Sequence, residues 1–389
     1  MSVVPIRFSR RGSLQSVSQI ITSYAEEVSK TRNDLLAMNV GAPGTGAPKI
    51  ALDALSELMY DDVLGYSSVH GILALRERIS RMYQDDYGVA VSPDNVIITY
   101  GASSAVLISC VALLDVSDKI AIPLPCYNNY LVAFESLGLK LKYIETSADN
   151  NFCITLKQLE QLSSDVKAII LINPSNPTGS VIPPAEHKKI IDYCDDRGIV
   201  VISDEIYHNI VYDGECDIST ALSHSSNVVV LNSFSKYYSM PGWRVGWMVV
   251  PDHLVDQMQS VSRSFFVSPP TPSQYVALKA MDCKQELDKH VEVYSANRDI
   301  MLEHMPQVGF DRFTSLDGAF YLYAHIKDFH DSSVDFCKQM IREAGVISTP
   351  GIAFDPINGG EYVRFSYAGT TDSIQQAMQR LEQWRLGSK

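Results

Sequence analysis

The chain contains no run of about 18 or more apolar residues, so the sequence offers no candidate membrane-spanning helix. It also lacks a basic excess: 32 Lys and Arg stand against 45 Asp and Glu, a formal net charge of −13. Proteins that wrap a phosphate backbone usually carry a basic stripe, so this balance argues against nucleic acid as a partner. An anionic ligand must then be held by a local cluster of cations rather than by the field of the whole molecule. No two of the seven cysteines (Cys110, Cys126, Cys153, Cys194, Cys216, Cys283 and Cys337) form a CxxC pair, and their number is odd. The spacing supports neither zinc nor a disulfide framework, and no metal site is expected. It suits small buried hydrophobes in a reducing compartment. Repeats, low-complexity tracts and long Gly/Ser linkers are missing as well. The first 25 residues contain no acid, and Arg7, Arg10 and Arg11 lie there among several serines, a composition shared with transit peptides.

What is present is an ordinary globular composition, 46% hydrophobic and 20% charged over 389 residues, enough for two or three domains' worth of core. Leu73, Leu75, Ile79 and Met82 recur at helical spacing and predict a helix over 72–87. A strand is expected at Val96–Tyr100, a helix at Ser103–Leu114, and further strands at Lys119–Pro123, Ala168–Ile172, Ile199–Ser203, Val228–Leu231 and Val245–Val250. Near-continuous apolar strands separated by helices indicate a mostly parallel sheet buried on both faces. After about residue 270 the pattern changes to one long helical stretch from Ser273 to about Met305, a strand at Phe320–Ile326, a helix at Val334–Ala344, a short strand at Tyr362–Tyr367 and a last helix. The expectation is an α/β fold with a smaller α+β domain. The large domain would span 46–285, with 1–45 and 286–389 forming an N-terminal arm and the small domain. Gly41–Pro48 reads as the joint between arm and sheet.

Five motifs carry chemistry. In "SFSKYYSMPGWRVGW", residues 233–247, Ser233, Ser235, Lys236 and Arg244 follow a buried strand. Ligands of doubly wound sheets sit at the carboxyl ends of strands. A lysine there can form a Schiff base if its surroundings depress its pKa; the plain alternative is a surface lysine. In "SDEIY", residues 203–207, Asp204 at a strand end could pair with a protonated ring nitrogen, or merely cap a helix, and Tyr207 could donate to a phenolic oxygen. "NPSNPTG", residues 173–179, holds Asn176 in a turn stiffened by two prolines. "GASSA", residues 101–105, brings Ala102 and Ser103 to a helix start, where backbone N–H groups and the helix dipole attract a phosphate. In "YVRFSYA", residues 362–368, Arg364 lies inside an apolar strand pattern and needs a partner. That partner is either a substrate carboxylate held bidentately or an acid of the protein itself.

In this order and spacing, with 28 residues from Asn176 to Asp204, 32 to Lys236 and 8 to Arg244, the chain resembles the fold-type I, class I/II aminotransferases, the aspartate aminotransferase-like family of pyridoxal-phosphate (PLP) enzymes. The resemblance runs from about residue 9 to 386. It implies a seven-stranded, mostly parallel sheet with helices on both faces. It also implies PLP as cofactor, with Lys236 forming the aldimine and shuttling the proton and Asp204 on the pyridine nitrogen. Asn176 and Tyr207 would lie on the phenolic oxygen, and Ala102, Ser103, Ser233, Ser235 and Arg244 around the phosphate. Tyr127, in "PCYNNY", matches the aromatic that stacks on the ring, and Tyr66, in "GYSSVHG", a tyrosine that reaches the phosphate of the neighbouring subunit. Gly41, Asn176 and Arg364 would form the substrate side, with Gly41 and Arg364 on the α-carboxylate. "GAFYLY" (318–323) and "TPGIAF" (349–354) resemble motifs of the family's small domain. The chain departs from the family at Asn128, where a proline usually follows the stacking aromatic. Members of the family have about as many residues before the matching glycine as the 40 that precede Gly41 here, so the expectation is a mature arm, no removable peptide, and a cytoplasmic protein.

The activity the resemblance implies is ping-pong transamination between an L-amino acid and a 2-oxo acid, in a homodimer with shared active sites. The same fold also runs β-elimination, decarboxylation and other PLP chemistry, so a PLP-dependent lyase is the alternative. The effector domain of a transcription regulator would need a DNA-binding domain ahead of it, and a plain binding module has no use for Lys236, Asp204 and Arg364 together. A dicarboxylate substrate would require a second cation, for which Arg263 is the candidate.

Overall fold

The apolar strands of the sequence divide their side chains between two separate cores, and that division sets the architecture. Ile98, Ala121, Ile169, Leu171, Val201, Val230 and Val249 pack on one face of a sheet. Their neighbours Ile97, Ile120, Ile122, Ala168, Ile170, Ile202, Val229, Leu231 and Met248 pack on the other. Alternation of side chains along a strand produces two apolar faces only when nearly every residue is apolar. Each valine, leucine, isoleucine or methionine among them contributes about 1.5–3 kcal/mol relative to exposure. The first face is covered by the helices Leu73–Tyr87 and Pro184–Arg197, the second by Ala102–Leu113, Asn128–Leu137 and Val255–Phe266.

The computed structural model describes residues 7–9, 11–14, 17–61, 63–212 and 217–387; Arg10 and Cys216 lie outside them. The sheet has seven strands in the order Val96–Thr99, Gly246–Val249, Val228–Ser233, Val200–Asp204, Val166–Ile172, Lys119–Leu124, Lys140–Glu145. All pairings are parallel except those of Gly246–Val249, which runs antiparallel to both neighbours. Ser233 lies opposite Gly246, and the Phe234 N–H donates to the Val245 carbonyl at 3.1 Å, so the loop between these strands is closed at its base. Ile172 lies opposite Asp204, which brings the "NPSNPTG" turn and "SDEIY" to the same carboxyl edge.

A smaller antiparallel sheet joins Tyr321–His325, Tyr362–Ser366 and Thr349–Pro350, flanked by the helices Ser333–Glu343 and Thr371–Gly387. Leu36–Ala37 pairs in parallel with Val346–Ile347, which ties the N-terminal arm to this part of the chain. The Gly41–Pro48 joint crosses between the two parts, with the Gly44 N–H donating to the Ala368 carbonyl at 3.0 Å and Thr45 Oγ1 2.7 Å from Ser239 Oγ. The molecule is thus an α/β fold with a mostly parallel seven-stranded sheet and a smaller α+β part.

One expectation needs correction, and one strand has no counterpart in the sequence reading. The helical stretch from Ser273 is two helices, Thr271–Ala280 and Lys284–Val308, which break at 281–283 without a glycine or proline. The first packs on the helix Lys49–Asp61, while Lys284–Val308 packs on Thr371–Gly387. Tertiary packing overrides a continuous pattern there. The strand Lys140–Glu145 has no apolar run, because it is the sheet edge and most of its side chains stay partly or fully exposed.

The large sheet and the "GAFYLY" segment meet back to back at two glycines. The Gly318 N–H donates to the Gly179 carbonyl at 2.8 Å. A Cβ on Gly318 would lie 2.8 Å from Pro174 Cγ and 3.0 Å from the Ile210 carbonyl oxygen. Gly318→Ala should therefore destabilise the protein by about 1–3 kcal/mol, the usual cost of overpacking. Urea unfolding followed by circular dichroism measures it, and an unchanged midpoint would show that this approach is not a constraint.

Candidate active site

Buried strands end where their backbone can no longer pair, and the side chains that follow converge on one cavity of about 420 Å³. Its walls include Gly41, Ala102, Ser103, Tyr127, Asn176, Asp204, Tyr207, Ser235, Lys236, Arg244 and Arg364. Two of the sequence-derived candidates do not line it. Ser233 sits behind Ser235, with its hydroxyl 2.9 Å from Ser235 Oγ and donating to the Val245 carbonyl at 3.1 Å. Tyr66 is 88% exposed on the outer surface.

Lys236 is half-buried, and its ammonium donates to the Gly41 carbonyl. Burial lowers its pKa to about 8, the nearby cations Arg364 and Arg244 push in the same direction, and Asp204 opposes them. A substantial fraction of the amine is thus neutral just above pH 7, the condition a Schiff base requires. Gly41 is pressed against the opposite wall: a Cβ there would collide with the Tyr321 hydroxyl and lie 3.0 Å from its ring carbon.

Asp204 is buried, and burial raises its pKa to about 6, although hydrogen bonds from Tyr130 and from the Ile206 backbone lower it. Tyr130 Oη donates to Oδ2 at 2.5 Å and the Ile206 N–H to Oδ1 at 3.1 Å. The carboxylate does fasten its own turn, as a cap would, but no α-helix follows it. No cation pairs with it among the described residues. A buried carboxylate without a cation is costly, and a protonated ring nitrogen would relieve that cost.

Arg364 has the opposite need. It is buried, with Nη1 donating to Asn176 Oδ1 at 2.9 Å and Nη2 to the Asn39 carbonyl at 2.6 Å and to Thr349 Oγ1 at 3.3 Å. Its guanidinium lies 4.5 Å from the Tyr321 ring centre and 4.7 Å from that of Phe354. No acid of the protein pairs with it among the described residues, which disposes of the internal ion pair, and Nε has no partner. These bonds orient the fork, and the N–H left on Nη1, together with the one that reaches Thr349 at only 3.3 Å, would meet a ligand carboxylate.

Tyr207 Oη lies 2.6 Å from Tyr321 Oη. Burial pushes Tyr207 well above the ordinary phenol range and Tyr321 up to about 12, so both stay protonated, one donating to the other and the second keeping its proton for a ligand. Arg244 is held by the Pro241 carbonyl at 2.8 Å and the Tyr100 carbonyl at 3.2 Å, without an acid among the described residues, beside Ala102 and Ser103 at the start of Ala102–Leu113. An anion belongs there. The Tyr127 hydroxyl accepts from Asn129 Nδ2 at 2.7 Å, and its ring meets Tyr130 edge-on. The donor set therefore fits PLP: an amine for the aldehyde, a carboxylate for the ring nitrogen, a phenol for the phenolic oxygen and a cationic helix start for the phosphate. Tyr130, Tyr321 and Thr349 escaped the sequence reading as site residues. Tyr130 gave one usable signal, a second tyrosine one helical turn after Tyr127.

A family model described as aminotransferase class I and II matches residues 33–381. The valine–pyruvate aminotransferase of Mycobacterium tuberculosis is 37% identical over 362 residues, 92% of this chain and 93% of the relative. A probable aspartate aminotransferase of Methanocaldococcus jannaschii is 32% identical over 354 residues, 89% of this chain and 92% of that one. Among solved structures, an aminotransferase from Mycobacterium tuberculosis superposes with a TM-score of 0.96 at 36% identity, covering 99% of this chain and 100% of the other.

Asp204 is charged above about pH 6 and neutral below it. PLP binding to the apoprotein should weaken as the pH falls through that value, as followed by fluorescence titration. Tyr130→Phe removes a hydrogen bond to the charged form and should move the midpoint to higher pH. Identical profiles for the two proteins would contradict this assignment.

Proposed function

The chain belongs to the class I and II aminotransferases and is a transaminase, and from that premise we propose that it carries PLP at Lys236 and moves the amino group of a small neutral L-amino acid to a 2-oxo acid. The reading rests on three unmet needs facing one cavity: a partly neutral amine at Lys236, a carboxylate without a cation at Asp204 and a guanidinium without a carboxylate at Arg364. Nothing among the relatives favours the lyase alternative.

When bound, PLP supplies an electron sink for the pair left at the α-carbon. The protein supplies the rest. Arg364 grips the substrate α-carboxylate in two prongs, and Asn176 Oδ1 fixes the plane of that fork. Asp204 holds positive charge on the ring nitrogen. Tyr207 would donate toward the phenolic oxygen, with Tyr321 hydrogen-bonded to its hydroxyl. Lys236 Nζ would take the α-proton and return it on the far side of the amino nitrogen, to the cofactor carbon it would otherwise hold. Arg244, Ser235 and the start of Ala102–Leu113 anchor the phosphate, so the reacting atoms stay in register.

The walls support a choice of substrate class. The cations lining the cavity are Lys236, Arg244 and Arg364, each already occupied in this scheme. Arg263 is exposed and does not line it. Ile21, Val40, Tyr127 and Phe354 present apolar surface instead, which suits a short aliphatic side chain and pyruvate as acceptor. The valine–pyruvate specificity in the name of the Mycobacterium tuberculosis relative agrees. The six described cysteines are free thiols, in keeping with a cytoplasmic setting. With purified enzyme, valine and alanine should give kcat/KM at least about tenfold above aspartate, the margin one uncompensated carboxylate produces. A preference for aspartate would overturn the neutral-donor reading.

The working unit is a homodimer with shared sites. Met59, Tyr60, Val63 and Tyr66 are 60%, 90%, 94% and 88% exposed, and Phe265 and Val267 are 56% and 55% exposed. Exposed apolar surface of this extent marks an interface, and a second copy in two-fold pairing covers it most simply. Tyr66 would then reach the partner's phosphate site. A disabling Tyr66 replacement mixed with Lys236→Ala should regain part of the wild-type activity after subunit exchange, since a mixed dimer holds one intact site. A fully active monomer in sedimentation would remove Tyr66 from the site.

A further inference from the structure

The cavity lies between two walls that belong to different parts of the chain. One is the N-terminal helix Val17–Val28, which packs on the helix Ser333–Glu343 and on Thr349–Pro350. It turns Ser18, Ile21 and Thr22 toward the cavity. The other is the stretch Tyr127–Asn129, where the helix Asn128–Leu137 begins on the large sheet. At the base the Tyr127 stretch is tied to the segment after Thr349–Pro350, with the Cys126 N–H donating to the Phe354 carbonyl at 3.0 Å. A side-chain bond spans the two walls: Asn128 Nδ2 donates to Ser18 Oγ at 2.9 Å.

We propose that the Asn128–Ser18 bond is a latch that holds the N-terminal helix against the Tyr127 loop, and that Asn128 is thereby a specificity-determining position. Asn128 is buried, so its amide must find partners. Ser18 stands one helical turn before Ile21 and Thr22, so pinning Ser18 fixes where those two side chains stand. Ile21 is 1% exposed and lines the cavity, which makes it a firm apolar wall only while the helix stays docked. A proline at 128 would carry no side-chain donor for Ser18. The consequence for substrate choice rests on the transaminase reading of this cavity, whereas the latch itself does not.

The test separates the two. Ser18→Ala and Asn128→Leu remove the bond from either end, and Ser18→Thr keeps the hydroxyl. One net hydrogen bond corresponds to about a three- to tenfold change in an opening equilibrium. Hydrogen–deuterium exchange of the apoprotein should therefore speed up about three- to tenfold across residues 17–28 in both single variants, should not speed up further in the double variant, and should stay near wild type in Ser18→Thr. In the PLP-loaded enzyme the KM for valine should rise by more than kcat falls, and the valine-to-alanine preference should narrow. Unchanged exchange in either single variant, or additive effects in the double, overturns the latch. Faster exchange with an unaltered donor profile keeps the latch and overturns its role in specificity. Failure to transaminate neutral donors at all, with faster exchange, overturns the substrate reading and leaves the latch standing.

Discussion

A guanidinium buried without a carboxylate is the constraint on which the site depends. Removing a charge from water costs several kcal/mol unless hydrogen bonds replace the solvent. Arg364 obtains them from segments far apart in sequence: Asn39 of the arm, Asn176 of the "NPSNPTG" turn and Thr349 of the small sheet. The rings of Tyr321 and Phe354 close around it. Each of these segments is itself fixed by a strand or a close backbone approach, so the need of one cation draws the two sheets and the arm together.

That cation also shapes the chemistry beside it. Arg364 and Arg244 bear on Lys236 from within the same cavity, and with burial they bring its amine to about 8. The molecule as a whole is strongly acidic, at −13. A positive cavity in a negative protein means that affinity for an anionic cofactor and substrate is generated locally, where low dielectric strengthens each interaction. Asp204 is the exception within the cavity, and its raised pKa records how poorly a lone carboxylate sits there.

Much of this was legible in the sequence because the relevant signals are local. Strands such as Val166–Ile172 are apolar on both faces and read as buried, and Lys236, Asp204, Asn176 and Arg364 follow or occupy such strands at spacings that identify the family. What escaped reading depends on contacts between distant segments. Lys140–Glu145 hides as a strand because an edge tolerates lysines. The break at 281–283 carries no helix-stopping residue. Tyr321 and Thr349 look like ordinary strand residues until the small sheet places them against Tyr207 and Arg364. Ser233 is adjacent to the site in sequence yet faces its own hairpin, since Ser233 and Ser235 are held to one another rather than side by side on the cavity. Asn128 could be flagged only as a departure from the family pattern, and its partner Ser18 lies far away along the chain.

The single antiparallel strand of the large sheet, Gly246–Val249, has a further consequence for how such a chain can diverge. Because it returns directly beside Val228–Ser233, residues 234–245 form a loop whose two ends are clamped by the same ladder. Lys236 stands near one end and Arg244 near the other. The contour length of that loop therefore acts as a calliper between the reacting amine and the anion anchor. Insertions and deletions should be purged from this interval while they accumulate freely in the surface connections elsewhere, so length, quite apart from residue identity, is under selection here.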